Sequence, residues 1–140
     1  MKARYLIFIF AILFSCATIS NFDQYAYTQT TSVKVDALNL MSFAVEDYKL
    51  HEKEAVRINT EIEKIYEYEK NRPKNEFTTH MWEILKDTTR NLYGGFITRW
   101  KTEGRLGRTF INEKKKQIGD SFDQIAQLES KKIKPSAIKN

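Results

Sequence analysis

The longest uninterrupted pattern of the chain covers residues 33–71, which read VKVDALNLMSFAVEDYKLHEKEAVRINTEIEKIYEYEKN, without proline or glycine. Apolar or tolerated residues recur in it at steps of three and four, the spacing of one helix face. These positions are Leu38, Met41, Val45, Tyr48, Glu52, Ala55, Asn59, Ile62 and Tyr66, with Ile58 and Ile65 widening the stripe. The stretch predicts one long, coiled-coil-like helix. It ends at Arg72-Pro73, because the residue before a proline avoids helical dihedral angles.

A second helical pattern begins near Asn75 or Thr78 and continues to a turn at residues 104–107. Its apolar face carries Trp82, Leu85, Thr89, Leu92, Phe96 and Trp100. Gly94-Gly95 interrupts the pattern, and each glycine costs about 1 kcal/mol in a helix interior. The glycine pair therefore predicts a kink, a break or a close approach to a neighbouring segment.

A third helical pattern runs from about Arg108 to Lys132, and Pro135 follows it. Its apolar face carries Phe110, Lys114, Ile118, Phe122, Ile125 and Leu128. Because short connections make neighbouring helices antiparallel, we expect an all-α fold, a three-helix antiparallel bundle over residues 33–134 with a tail at 135–140. The aromatic side chains of the last two helices are expected in its core.

The first sixteen residues read MKARYLIFIFAILFSC and have the layout of an exported leader. A short basic segment precedes about ten apolar residues, which is the size of a signal-peptide hydrophobic region. A membrane-spanning helix needs about twenty. Cys16 ends the leader and is the only cysteine of the chain, so neither an intramolecular disulfide nor a thiolate metal cluster is possible.

Leu13-Phe14-Ser15-Cys16 resembles the lipobox of bacterial lipoprotein precursors, in which an aliphatic and a small residue precede the acylated cysteine. The resemblance covers the leader alone. It implies that residues 1–15 are a signal peptide and that Cys16 carries a diacylglycerol and usually a third acyl chain. Such chains hold firmly, since each buried methylene contributes about 0.8 kcal/mol. The alternative is ordinary signal cleavage after Ser20, which would give a soluble protein.

Residues 16–32 are predicted to be the lipidated cysteine and a tether, because this segment is rich in Ser, Thr, Asn and Gln and has no clear period. The alternative for its aromatic residues Phe22, Tyr25 and Tyr27 is packing against the helical domain. Ser32 is a reasonable N-cap for the helix that follows. In the lipoproteins that the leader resembles, an aspartate after the cysteine often signals retention in the inner membrane. Ala17 stands there instead, so the resemblance implies an outer-membrane protein that faces the periplasm.

The charges are distributed unevenly along the chain. Residues 46–69 carry a net charge of −4, and residues 99–116 a net charge of +5. The basic residues of the second segment form a candidate interaction patch: Arg99, Lys101, Arg105, Arg108, Lys114, Lys115 and Lys116. Over the whole chain the net charge is +5, and without Lys2 and Arg4 of the leader 21 basic residues face 18 acidic ones. That excess is too small to indicate a nucleic-acid partner.

Two trios of acidic residues and histidine have the helical spacing i, i+4, i+7, namely Asp47, His51 and Glu54, and then Glu76, His80 and Glu83. Such residues on facing helices can hold two metal ions. In a hairpin that turns near Pro73, however, the histidines would differ by about 22 Å in height. We interpret both trios as solvated faces and expect no metal or other cofactor. Neither histidine has an identifiable serine partner, so we expect no enzyme.

Together these features predict a lipid-anchored, non-catalytic helical interaction or scaffold subunit of a bacterial envelope assembly, such as a secretion machine. The expected partners are the membrane, through lipid on Cys16, and a protein of the envelope. A homo-oligomer is possible, because the seam of the first helix can pair within the chain or with a second copy. The alternative is a small-ligand or metal-binding periplasmic lipoprotein with a pocket near Gly94-Gly95 and the two tryptophans.

Overall fold

The structure, a computed structural model, describes residues 20–130. This part of the chain contains five α-helices and no β-strand, which confirms the all-α class. The helices are α1 (Gln24–Ser42), α2 (Tyr48–Lys70), α3 (Glu76–Lys86), α4 (Tyr93–Glu103) and α5 (Arg108–Glu129), with a short 3-10 turn at Phe43–Val45. None of them is both long and apolar enough to cross a membrane. The predicted leader, Cys16 and the tail at 135–140 lie outside the described residues.

The helices form four antiparallel columns, of which α3 and α4 together make the third. Helix α1 packs between α2 and α5, and α3 packs against both α2 and α5. At one end, which we name the tip (residues 43–48 and 104–108), the Tyr48 N–H donates to the Gly104 carbonyl and the Leu106 N–H to the Ala44 carbonyl. The other end is the N-terminal end (residues 20–23, 69–75 and 129). There Arg72 joins residues 20–23, which we name the chain entry, to α2 and α5.

The prediction of one helix over residues 33–71 is wrong, because the chain reverses direction at residues 43–47. Asp47 has an extended backbone and its carboxylate accepts a hydrogen bond from the Lys49 N–H, so it caps a new helix. The two halves of the predicted seam therefore pack against each other within the chain. This reversal adds a column, and the bundle has four columns where three were predicted.

The N-terminal boundary of the bundle also differs from the prediction. Asp23 is the N-cap of α1, and its carboxylate accepts a hydrogen bond from the Ala26 N–H at 2.8 Å. Residues 24–32 of the predicted tether are thus helical, and Ser32 lies inside α1. The buried face of this part of α1 consists of small side chains such as Ala26 and Thr30, which give little periodic signal in the sequence.

The second predicted helix is broken between Lys86 and Tyr93, and the glycine pair lies in the first turn of α4. A Cβ atom on Gly94 would lie 2.1 Å from the Lys86 carbonyl oxygen, and one on Gly95 would lie 1.8 Å from the Arg90 carbonyl oxygen. Of the three predicted possibilities, the structure thus combines a break with a close approach. The third predicted helix matches α5 in its start and ends at Glu129.

The core contains the aromatic side chains that the helical patterns predicted. Trp82 contacts Phe122 edge-on with ring centroids 5.9 Å apart, and Trp100 contacts Tyr48 in the same way at 5.4 Å. Both tryptophans are fully buried. Large, interlocked rings of this kind fix the relative height of the columns and therefore the positions of the surface groups at both ends.

Candidate functional site

Two residues of the predicted basic patch, Arg105 and Arg108, lie at the tip, and Arg99 and Lys101 lie in the turns of α4 that lead to it. Arg99 and Lys101 are in the last two turns of α4, Arg105 is in the connection, and Arg108 is the first residue of α5. Backbone hydrogen bonds from Tyr48 and Leu106 hold this connection against the turn between α1 and α2. The structure thus brings together four of the seven patch residues that the sequence spreads over ten positions.

The charges of the patch are satisfied to different degrees. Arg99 binds Glu103 at 2.7 Å and lies over the ring of Phe110, and Lys101 reaches Glu52 at 3.5 Å. In contrast, the structure over residues 20–130 contains no ion pair for the exposed residues Arg105, Arg108 and Lys116. These three side chains are therefore without an ion pair in the described part of the chain, although the carboxylates of Glu46 and Asp47 lie at the same end of the bundle as Arg105 and Arg108.

Two of the lysines in the Lys114–Lys116 run are engaged within the bundle. Lys114 is only 9% exposed, and its ammonium group donates to the Asn91 carbonyl and to Gln117. Burial lowers the pKa of Lys114 below its ordinary value. Lys115 donates to the Ser42 hydroxyl on α1. Lys114 therefore acts inside the structure and is not available to a partner, although the sequence placed it in the patch.

The two histidine trios do not assemble into sites. His51 binds Glu46 at 2.7 Å and stacks on Phe43, while the other members of its trio cap α2 or pair with an arginine. His80 binds Glu83 at 3.2 Å on an exposed face of α3. Within residues 20–130, no three histidine, cysteine or acidic side chains converge so that they could hold a metal ion.

A cavity of about 470 Å³ lies beside Gly94, between α2, α3 and α4. Its apolar lining includes Ile62, Ile97 and Tyr93, and Lys101 contributes a basic group. The predicted pocket near the glycine pair thus has a counterpart, but neither tryptophan lines it. The Tyr93 hydroxyl is buried without a hydrogen-bond partner among the described residues, and burial raises the pKa of Tyr93.

Replacing Tyr93 with phenylalanine is expected to raise the free energy of unfolding by about 1 kcal/mol, because a buried hydroxyl without a partner costs about 1–3 kcal/mol. Urea unfolding of the purified protein measures the change. Tyr66→Phe is the matched control, since the Tyr66 hydroxyl donates to Glu83 at an exposed site, and it should be neutral or slightly destabilising. A loss of stability in Tyr93→Phe would contradict the prediction and show that this hydroxyl has a partner in solution.

A cluster of buried polar side chains, which the sequence analysis did not identify, lies at the N-terminal end. The Arg72 guanidinium binds Glu69 at 2.6 Å and Glu129 at 2.9 Å, and both carboxylates are almost fully buried. The Asn75 amide also donates to Glu69. Desolvation raises the pKa of Glu69, and desolvation together with the nearby Glu69 raises the pKa of Glu129 to about 7. One arginine thus compensates two carboxylates that packing has removed from water.

The same cluster holds the start of the described chain. Arg72 donates to the Asn21 carbonyl at 2.7 Å, and the Ser20 hydroxyl donates to the Asn75 side chain at 2.9 Å. Asp23, the cap of α1, accepts from the Tyr68 hydroxyl at 2.7 Å. This arrangement fixes where the preceding residues join the bundle.

Comparison with known proteins identifies no relative. No family model matches the chain, and neither a curated protein nor a solved structure does.

Proposed function

We propose that the mature chain is a bacterial lipoprotein, anchored through lipid on Cys16 to the outer membrane and facing the periplasm. The lipobox-like Leu13–Cys16 and the single cysteine support this reading. The contacts of Ser20 support it further. Cleavage after Ser20 would remove a residue that binds Asn75, whereas cleavage before Cys16 keeps this contact.

We further propose that the anchored chain is a non-catalytic interaction or scaffold subunit of an envelope assembly. The observation that carries this role is the exposure of Arg105 and Arg108 at the tip without an ion pair among residues 20–130, at the far end of the bundle from the chain entry. Helix α1 has 19 residues, so the two ends are about 28 Å apart. A basic tip at that distance from the anchor suits an acidic surface on a protein partner, because complementary charge speeds encounter and selects the partner.

The anchor is tested by metabolic labelling with a fatty acid in cells that produce the wild type or Cys16→Ala. We expect label on the wild type alone. Equal recovery of unlabelled protein from both strains would overturn the anchor and indicate a soluble periplasmic protein.

The charge-reversal variant Arg105→Glu/Arg108→Glu should reduce cross-linked recovery of the partner from intact cells about tenfold or more, because like charges in an interface cost several kcal/mol. Lys64→Glu/Arg90→Glu makes the same change of net charge on exposed residues that belong to neither end of the bundle, and should recover the partner normally. Equal recovery from the two variants would remove the tip from the interface. A cross-link to a second copy alone would identify a homo-oligomer.

A second candidate function is the binding of a small ligand, which the cavity beside Gly94 favours. Tyr93 lines this cavity, and its buried hydroxyl lacks a hydrogen-bond partner among the described residues. Titration with Zn²⁺, haem, oleate and ATP, followed by tryptophan emission, tests this alternative. A saturable change with one probe that is lost in Tyr93→Phe would support it, and no change with any of the four would argue against it.

A further inference from the structure

Exposed aromatic side chains are concentrated at the N-terminal end of the bundle. Phe22, Tyr25 and Tyr68 are 45%, 54% and 38% exposed, and they are three of the seven large hydrophobic residues that residues 20–130 expose. Tyr27 is half-buried beside them. Exposed aromatic residues grouped on one surface mark a place of contact more often than scattered ones do.

The rings form two contacting pairs around the chain entry. Tyr25 meets Tyr68 edge-on with centroids 4.9 Å apart, and Phe22 lies 6.3 Å from Tyr27. The Tyr68 hydroxyl donates to Asp23, which caps α1. These four residues, which we name the aromatic surface, are thus held in position by the first turn of α1 and the last turns of α2.

The link between this surface and the proposed anchor is short. Ser20 is bound to Asn75, so three residues, or four Cα–Cα steps, lie between the lipid-bearing Cys16 and the first residue held by the bundle. Even fully extended, these steps span about 14 Å at most. The N-terminal end must therefore stay close to the membrane, while the tip lies about 28 Å further along α1.

We propose that the aromatic surface docks into the interfacial layer of the membrane that carries the Cys16 lipids. Tyrosine and phenylalanine suit this layer, because their rings are apolar and a tyrosine hydroxyl stays in the polar headgroup region. The N-terminal end of the bundle then contacts the membrane, and Arg105 and Arg108 at the tip face away from it. This inference rests on the proposed lipid anchor and assigns the anchored chain a fixed orientation.

The experiment separates this orientation from natural acylation. The mature chain beginning at Cys16 is coupled through its only thiol to a maleimide-headgroup lipid in nanodiscs of phosphatidylcholine and phosphatidylglycerol. A gadolinium-chelating headgroup lipid is included, and broadening of backbone amide signals is measured by NMR. We expect broadening several-fold stronger at residues 22–27 and 66–70 than at residues 104–108.

The triple variant Phe22→Ser/Tyr25→Ser/Tyr68→Ser should reduce this gradient several-fold, because the anchored bundle would then have no fixed orientation relative to the membrane. Val35→Ser/Leu50→Ser/Val56→Ser is the matched control, since it removes three exposed apolar residues from elsewhere on the bundle. It should keep the gradient.

The proposal would be overturned by a wild-type gradient that is absent or reversed. It would also be overturned by a gradient that the aromatic triple variant keeps unchanged. A third contrary outcome is protection of the aromatic surface from broadening that depends on the number of protein molecules per nanodisc. The last would assign the surface to a second copy. Because the anchor is attached chemically, failure of fatty-acid labelling in cells would remove the proposed function without producing any of these results.

Discussion

Arg72→Met is expected to lower the free energy of unfolding by about 3–5 kcal/mol at pH 8, because it leaves two buried carboxylates without their cation. The side chains of Glu69 and Glu129 are 0% and 2% exposed, and Arg72 is the residue that binds both. One oxygen of Glu69 already lacks a partner among the described residues. Urea unfolding followed by circular dichroism measures the loss.

The loss should depend on pH with a defined sign. The pKa of Glu129 is about 7 in the folded chain against an ordinary 4.5, so the folded state binds its proton more tightly than the unfolded state. The free energy of unfolding of the wild type should therefore fall as pH rises from about 4.5 to about 7, and level off above that range. Without the arginine both carboxyl pKa values rise further, so in Arg72→Met the fall should extend to higher pH.

Two variants test whether the effect belongs to the buried charges. Adding Glu129→Gln to Arg72→Met should restore part of the stability at pH 8, because an amide in that position carries no charge to desolvate. Lys64→Met removes an exposed lysine that pairs with Glu61, and it should cost less than about 1 kcal/mol. If Arg72→Met costs no more than Lys64→Met, the carboxylates are solvated in solution and the cluster does not hold the N-terminal end together.

The reversal at residues 43–47 explains why sequence patterns predicted the fold class but gave too few helices. The apolar stripe continues from Met41 through Val45 to Tyr48 at helical spacing, so periodicity alone does not reveal a turn. Asp47 provides the signal that was available, since its carboxylate caps the helix that begins at Tyr48. An aspartate inside a helical pattern is common, however, and only tertiary packing of α1 on α2 makes the reversal favourable.

Part of the buried cluster of Glu69, Arg72 and Glu129 could have been inferred from the sequence. Glu69 continues the stripe of Ile58, Ile62 and Ile65, so its position is typical of a buried helix face, although its charge is typical of an exposed one. Glu129 likewise lies four residues beyond Ile125. The missing information was the partner, because Arg72 lies in the turn after α2 and reaches Glu129 across 57 positions of sequence.

The grouping of the aromatic surface became visible only in the structure, for a similar reason. Phe22 and Tyr25 stood in a segment predicted to be a tether, and the contact of Tyr25 with Tyr68 of α2 depends on the helix that begins at Gln24. The basic tip, in contrast, was predicted from charge spacing within one segment.

Gly95→Ala is expected to destabilise the bundle by about 3 kcal/mol or more, because the new methyl group would overlap rigid backbone. Its Cβ atom would lie 1.8 Å from the Arg90 carbonyl oxygen and 3.0 Å from the carbonyl carbon. The overlap could be relieved only if the segment at residues 87–92 moved away from α4, which would disturb the cavity beside Gly94. Thermal and urea unfolding of the two proteins side by side measure the effect.

Gly119→Ala is the matched control, because Gly119 lies within α5 and its added Cβ atom would meet only side-chain atoms, the nearest being Leu38 Cδ1 at 3.4 Å. Leu38 can shift slightly, and alanine favours the helix over glycine by up to about 1 kcal/mol, so this variant should be neutral or stabilised. The opposite signs expected at two helical glycines separate a steric requirement from helix propensity. If Gly95→Ala is as stable as Gly119→Ala, the 87–92 segment does not pack on α4 in solution, and the cavity loses its wall.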